Sequence, residues 1–227
     1  MKLSNKILIG FFGFAFLYMT AAFTEVRLKG DLNRIDDDNG IIETVGIVGV
    51  NYLVLPDIKS QMSIIGSNDP KIEVKSIKGD LLKYLKYEIS GDTLIMKGFD
   101  LPEDQRARVT FYVPKNNFVG LTSDHGGVSI GELDQATLSI TQIDGWIRIG
   151  DKNKLGNLIL NARSGAYFTV SESDLDTLSV TADDSQVSIM TRINLAEGVI
   201  SNDSYINLNN VGEVRFKKDE SSRLILN

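Results

Sequence analysis

Few side chains in this sequence could carry out chemistry. There is a single histidine, His125, and no cysteine. Thiol catalysis, cysteine-held metal, disulfide stapling and His-rich metal sites are therefore excluded. His125 lies in Asp124-His125-Gly126-Gly127. Asp124 could orient it as a general base, but neighbouring residues of a strand or turn rarely face each other, so an exposed turn residue is the stronger reading. No phosphate-cradling glycine loop, nucleophile elbow or metalloprotease helix occurs. Asp144, Asp183, Asp184 and Asp203 are read as falling at successive coil corners of the repeat described below. Stacked in one row they could bind a cation or polarise a sugar, as a β-helical lyase or hydrolase would require. Aspartate is also a good turn former, and that role suffices for all of them. The expectation is no catalytic residue, no metal site and no cofactor.

Binding chemistry has a clearer signal. Trp146, Tyr167, Gln186 and Tyr205 follow one another at steps of 21, 19 and 19, each immediately before an apolar-x-apolar pair. If the pairs point inward, these residues point outward and stack. Arg148 is the next outward residue beside Trp146. Exposed rings suit flat sugars or a protein partner, although a ladder of rings can also simply stabilise a sheet. Trp146, Arg148, Tyr167 and Tyr205 are the candidate contact residues. The other outward face, Thr137, Ser139, Asn157, Thr177 and Ser179, is small and polar.

A repeat of about 20 residues must position these side chains. The inward pairs are Val128/Ile130, Ile147/Ile149, Phe168/Val170, Val187/Ile189, Ile206/Leu208 and Leu224/Leu226, at steps of 19, 21, 19, 19 and 18. A second track reads Val119/Leu121, Leu138/Ile140, Leu158/Leu160, Leu178/Val180 and Val214/Phe216. A third is one corner residue per repeat: Phe118, Leu133, Leu155, Leu175, Leu195 and Val211. Alternation within each pair has the strand period of two, and turn-forming Gly, Asn, Asp and Ser separate the pairs. A coil that cannot bury its apolar face alone must stack on its neighbours. The fold class predicted is all-β: a single-stranded parallel β-helix, or β-solenoid, with an N-terminal membrane helix. An antiparallel sandwich would not require three aligned tracks. Residues 116–227 are read as regular coils and 41–115 as irregular first coils or a cap, with Pro56, Pro70, Pro102 and Pro114 in the gaps.

Residues 1–24 read as a signal anchor or signal peptide. Ile7 to Phe23 is an uncharged run behind Lys2 and Lys6. As a helix it spans about 26 Å, at the short end for a bilayer. Thr20-Ala21-Ala22 is a fair cleavage site. A retained anchor and a cleaved signal both export the remainder, placing the domain in the periplasm, on the cell surface or in the medium. Residues 25–40 read as a linker. The acidic run Asp36-Asp37-Asp38-Asn39-Gly40 lacks the spacing and terminal Glu of a calcium loop. A net charge of −6 argues against nucleic acid as a partner.

Gly91-Asp92-Thr93-Leu94-Ile95-Met96, then Val109-Thr110-Phe111-Tyr112-Val113-Pro114, then the coils follow in an order that resembles the auto-transporter adhesin family with a "head GIN" domain, found largely in Bacteroidetes envelopes. The resemblance covers roughly residues 45–227. Many members of that family carry lipoprotein leaders, and this chain lacks the cysteine for one. Ser185 and Ser204 stand where the family favours glycine. The resemblance implies a β-helical envelope domain. The expected function is a non-enzymatic, adhesin-like binding or scaffold module whose partners are the membrane, through residues 7–23, and a glycan or envelope protein. The alternative is a carbohydrate-active enzyme on a β-helix.

Overall fold

The computed structural model describes residues 3–29, 40–57, 60–124, 126–150 and 152–227. His125 and residues 30–39 of the expected linker lie outside the described residues. Contacts divide the chain into two units, Met1–Arg34 and Ile35–Asn227.

The first unit is the helix α1 (Leu3–Lys29). Between Ile9 and Phe23 its exposed side chains are mostly apolar, Phe11, Phe14, Phe16, Leu17 and Phe23 among them, and Glu25 and Arg27 are exposed beyond. Thr20 and Thr24 donate their hydroxyls to the carbonyls four residues back, at 2.8 and 2.7 Å. The helix expected over residues 7–23 is therefore present. Among the described residues, however, no helix is long and apolar enough to cross a membrane. The membrane span is thus not a feature of the fold as described.

The second unit is all-β. In chain order its strands are β1 (Ile41–Gly46), β2 (Tyr52–Leu55), β3 (Gln61–Ser67), β4 (Lys71–Ser76), β5 (Leu85–Ser90), β6 (Thr93–Phe99), β7 (Ala107–Pro114), β8 (Gly120–Asp124), β9 (Gly127–Gly131), β10 (Asp134–Ile143), β11 (Trp146–Ile149), β12 (Lys154–Arg163), β13 (Tyr167–Val170), β14 (Asp174–Asp183), β15 (Gln186–Ile189), β16 (Ile193–Ser201), β17 (Tyr205–Leu208), β18 (Val211–Lys218) and β19 (Arg223–Leu226). From β8 onward, even-numbered strands stack in parallel in a nine-stranded sheet and odd-numbered ones in a ten-stranded sheet. The result is a parallel β-solenoid of about five turns.

Register explains the core. Leu138 pairs with Leu158 and Leu158 with Leu178, and all three are fully buried. On the ten-stranded sheet, Val128, Ile147, Phe168, Val187 and Ile206 form the facing row. A one-residue slip would expel every member of a row at once. In β16 the rows narrow. Ala196 stands beside Leu178 and Gly198 beside Val180. Gly198 has φ +150°, and a Cβ there would lie 1.8 Å from the Val180 carbonyl oxygen. The close approach of these backbones needs glycine.

The structure corrects the expected third track. It does not form a separate side of the coil, because Leu155 and Leu175 lie inside the ten-residue strands β12 and β14. In β16 the corner position belongs to Ile193, which pairs with Val211, whereas Leu195 lies opposite Thr177 and is half-buried.

The early part of the chain is stacked out of sequence order. β2 and β3 lie between β8 and β9 on one side and β6 and β7 on the other. β4 then adds antiparallel to β7, β1 antiparallel to β4, and β5 antiparallel to β6. The antiparallel strands end the parallel stack at this side. Leu81, Leu85 and Phe99 fill the core there.

Buried polar side chains secure the turns. Asn153 is fully buried. Its Nδ2 donates to the carbonyls of Ile130 and Gly150, and its Oδ1 accepts from the Leu133 amide at 2.9 Å. In the last loop, Asp219 accepts from the Asn202 amide at 2.8 Å, the Ser222 amide at 2.9 Å and the Ser221 hydroxyl at 3.1 Å. The Ser222 hydroxyl also faces the carboxylate, though without a well-formed hydrogen bond. With Ser222 the largest cause and the Asn202 amide next, the Asp219 carboxyl is held at about 2.

Two outcomes follow from this packing. Leu158→Ala should destabilise the domain by about 2–5 kcal/mol in denaturant unfolding, the range for a buried leucine truncation. Because Asp219 titrates lower in the folded state than unfolded, its contribution is complete above the ordinary carboxylate range and is lost as pH falls towards about 2. NMR titration of the Asp219 carboxyl should give a midpoint near that value, and an ordinary midpoint would show that the loop hydrogen bonds do not form.

Candidate binding face

The ten-stranded sheet presents an outward row set by the same register as its core row. Gly127 pairs with Trp146, Trp146 with Tyr167, Tyr167 with Gln186, Gln186 with Tyr205 and Tyr205 with Arg223. Neighbouring members stand about 4.8 Å apart. Trp146 is 36 % exposed and Tyr167 46 %, and Tyr205 is half-buried. Arg148 belongs to the adjacent outward row, between Ser129 and Thr169, and is exposed. Its Nε lies over Gly150, 3.6 Å from where a Cβ there would stand. The structure thus puts Trp146, Tyr167 and Tyr205 on one wall and Arg148 beside Trp146.

The rings do not form a stacked ladder. Among the described residues the aromatic pairs are Phe11–Phe12 and Phe14–Tyr18, both in α1. Trp146 instead leans over Gly127. A Cβ on Gly127 would lie 2.5 Å from indole Cε2 and 2.7 Å from Nε1. Glycine thereby gives the indole a flat bed on the neighbouring coil. Gln186 separates Tyr167 from Tyr205, so their rings are two coils apart.

The corner aspartates do not converge. Asp144, Ser164, Asp184 and Asn202 are the residues with positive φ at successive corners, at 58°, 58°, 47° and 53°. Carboxylates thus alternate there with a hydroxyl and an amide. Asp183 lies one position earlier, paired with Arg163 and Ser201, and its Oδ1 accepts from Ser201 Oγ and Asn202 Nδ2. Gly145 donates its amide to Asp144 Oδ1 at 2.6 Å. These are the contacts of turn residues. Among the described residues no group of three or more His, Cys, Asp or Glu side chains could hold a metal ion. Asp124 lies at the end of β8, and His125 is outside the described residues.

Sequence reasoning missed the part of the wall beyond Tyr205. Arg223 precedes Leu224 as Tyr205 precedes Ile206, so the offset could have placed it in the row. Arg223, Tyr205, Gln186, Asp203, Ser204 and Ser221 line a depression of about 420 Å³. On the opposite wall, Ile159 and Val199 are exposed beside Arg215 and Lys217, so that face is less uniformly polar than its serines and threonines suggest.

No family model matches the sequence, and no curated protein matches it. Solved structures do share the fold. A proposed adhesin from Parabacteroides distasonis aligns with a TM-score of 0.58 at 12 % identity, over 84 % of this chain and 95 % of that one. A proposed adhesin from Bacteroides fragilis aligns with a TM-score of 0.59 at 8 % identity, over 84 % and 98 %. A proposed lipid-binding protein from Parabacteroides distasonis aligns with a TM-score of 0.53 at 13 % identity, over 84 % and 94 %. At these identities the likeness establishes the β-solenoid architecture of the chain.

Proposed function

We propose that the chain is a non-enzymatic, adhesin-like binding or scaffold module of the head-GIN type, displayed outside the cytoplasmic membrane, and that Trp146, Arg148, Tyr167 and Tyr205 contact its glycan or envelope-protein partner. The observation carrying this reading is the aromatic row on a rigid parallel wall. Its rings are spaced by the coils, are at least partly exposed and do not stack on each other. The corner carboxylates Asp144 and Asp183, of the kind an enzyme would gather, accept hydrogen bonds from their own turn and the neighbouring coil. Solved proteins of the same fold are described as proposed adhesins or a proposed lipid-binding protein, which agrees with a binding role. The N-terminal helix supports export. Between Ile9 and Phe23 its exposed side chains are mostly apolar, and the Thr20 and Thr24 hydroxyls are bonded to its own backbone. The leader serves as a signal anchor or a cleaved signal, and mass spectrometry of the mature N-terminus distinguishes the two.

A screen of the full chain against glycans and envelope proteins tests the reading. Trp146→Ala should weaken binding by more than about 1 kcal/mol if the indole is a central contact, with little change in melting temperature. Unchanged binding together with a large loss of stability would make the ring structural. Gly127→Ala should push the indole off its bed. Trp146 is the sole tryptophan, so its fluorescence reports the movement directly. Identical emission spectra in the two proteins would show that the indole does not lie against Gly127.

A further inference from the structure

The depression at the C-terminal end of the aromatic wall has a chemistry of its own. A phenol, an amide, a carboxylate and a guanidinium surround it: Tyr205, Gln186, Asp203 and Arg223. Among the described residues none of these side-chain heads makes a hydrogen bond or ion pair. A carboxylate and a guanidinium thus line the same cup without closing on each other. Their backbones are fixed. Gln186, Tyr205 and Arg223 are consecutive in the parallel register. Asp203 has a positive φ of 59°, and its amide donates to Ser221 Oγ at 3.0 Å. Ser221 in turn donates to Asp219 Oδ1 at 3.1 Å. The loop carrying the carboxylate is therefore anchored by the hydrogen-bonded Asp219.

Such a set recognises a ring bearing hydroxyl groups. An aromatic face takes the C–H face of a sugar. A carboxylate accepts from two neighbouring hydroxyls, a guanidinium donates to two, and an amide does both. Opposite charges in one cup leave it without net charge. An anionic ligand attracted by Arg223 would also meet Asp203 in the same cup, which favours a neutral one. The volume, about 420 Å³, lies near the lower end of the range of roughly 300–1,000 Å³ for small-molecule sites and suits one ring rather than a chain.

We infer that this cup is a subsite for a single neutral hexose unit, seated on Tyr205 with its hydroxyls shared among Asp203, Gln186 and Arg223. The inference rests on the reading of this wall as the contact surface, and it names the ligand class and the residues that select it. A longer glycan would run from this unit along the wall towards Tyr167 and Trp146.

The test uses the full chain on an array of oligosaccharides ending either in glucose, galactose or mannose or in uronic acids. Binding should favour the neutral ends. Tyr205→Ala, Asp203→Asn and Arg223→Gln should each reduce it by about tenfold or more, as loss of a central contact does. Thr141→Ala, on the opposite wall, should leave binding unchanged, and melting temperatures of all variants should stay close to that of the parent. Asp203→Asn and Arg223→Gln alter charge with little change of shape, so they remain informative if Tyr205→Ala is unstable. Wild-type binding in both, or preference for uronic acid ends, overturns the subsite. If Trp146→Ala weakens binding while the cup variants do not, the subsite falls and the aromatic wall stands. If no glycan binds, the subsite also falls, and envelope-protein capture decides the fate of the wall.

Discussion

The parallel hydrogen-bond register between coils is the constraint on which the rest of the molecule depends. Each residue stands next to its equivalent one coil away, and the pleat sends alternate residues to opposite sides. Burying Ile147, Phe168, Val187 and Ile206 therefore obliges Trp146, Tyr167, Gln186 and Tyr205 to face outward together. Core and outward wall are two consequences of one register, and the second cannot move without the first. A wall held in this way presents its side chains from a fixed backbone, which limits the ordering entropy lost when a ligand binds.

Stacking also propagates every change of size. Where β16 offers Ala196 and Gly198 beneath Leu178 and Val180, the coil shortens, and Phe216 in the following coil stands beside Gly198 and packs on the core. The corners obey a second rule. The position before each member of the outward row from Trp146 to Arg223 is small: Gly145, Ala166, Ser185, Ser204 and Ser222. Ser185 and Ser204 are buried, yet their polarity is used. Ser204 Oγ accepts from the Ser185 amide at 3.1 Å, and Ser185 donates to the Ala162 carbonyl at 3.2 Å. Serine in place of glycine at these corners thus ties one coil to the next.

Features that repeat with the coil were legible in the sequence. Period-two alternation placed Leu138, Leu158 and Leu178 in one row and the rings in another, because each signal recurs and neighbouring coils reinforce it. Features that depend on a single coil were not. Ile193 and Leu195 are both apolar and two residues apart, so alternation alone cannot choose between them, and the Ala196–Gly198 constriction shifts the count. Asn153, Gln135 and Gln142 are buried polar residues whose partners are backbone carbonyls, and sequence does not mark a carbonyl left open by a turn. Residues 41–115 were harder for a topological reason. Sequence order suggests stacking order, but β2 and β3 lie inside β6 and β7 in the stack.

The cup around Tyr205, proposed as a subsite, illustrates why such a site on a solenoid is hard to read and easy to build. Gln186, Asp203 and Arg223 are each ordinary surface residues; the coil offset links Gln186 and Arg223, but no spacing ties Asp203 to them. Coil stacking brings them together across the sequence without strain, since each merely occupies an outward or corner position of its own coil. A substitution at any outward position changes the wall and leaves the core rows intact. Recognition can then diversify while the architecture persists. That separation is consistent with solved structures that keep this fold at 8 to 13 % identity. The specificity of such a protein has to be sought in its outward rows, where Trp146, Tyr167, Tyr205 and Arg223 stand, because the inward rows record only what a coil requires of its neighbour.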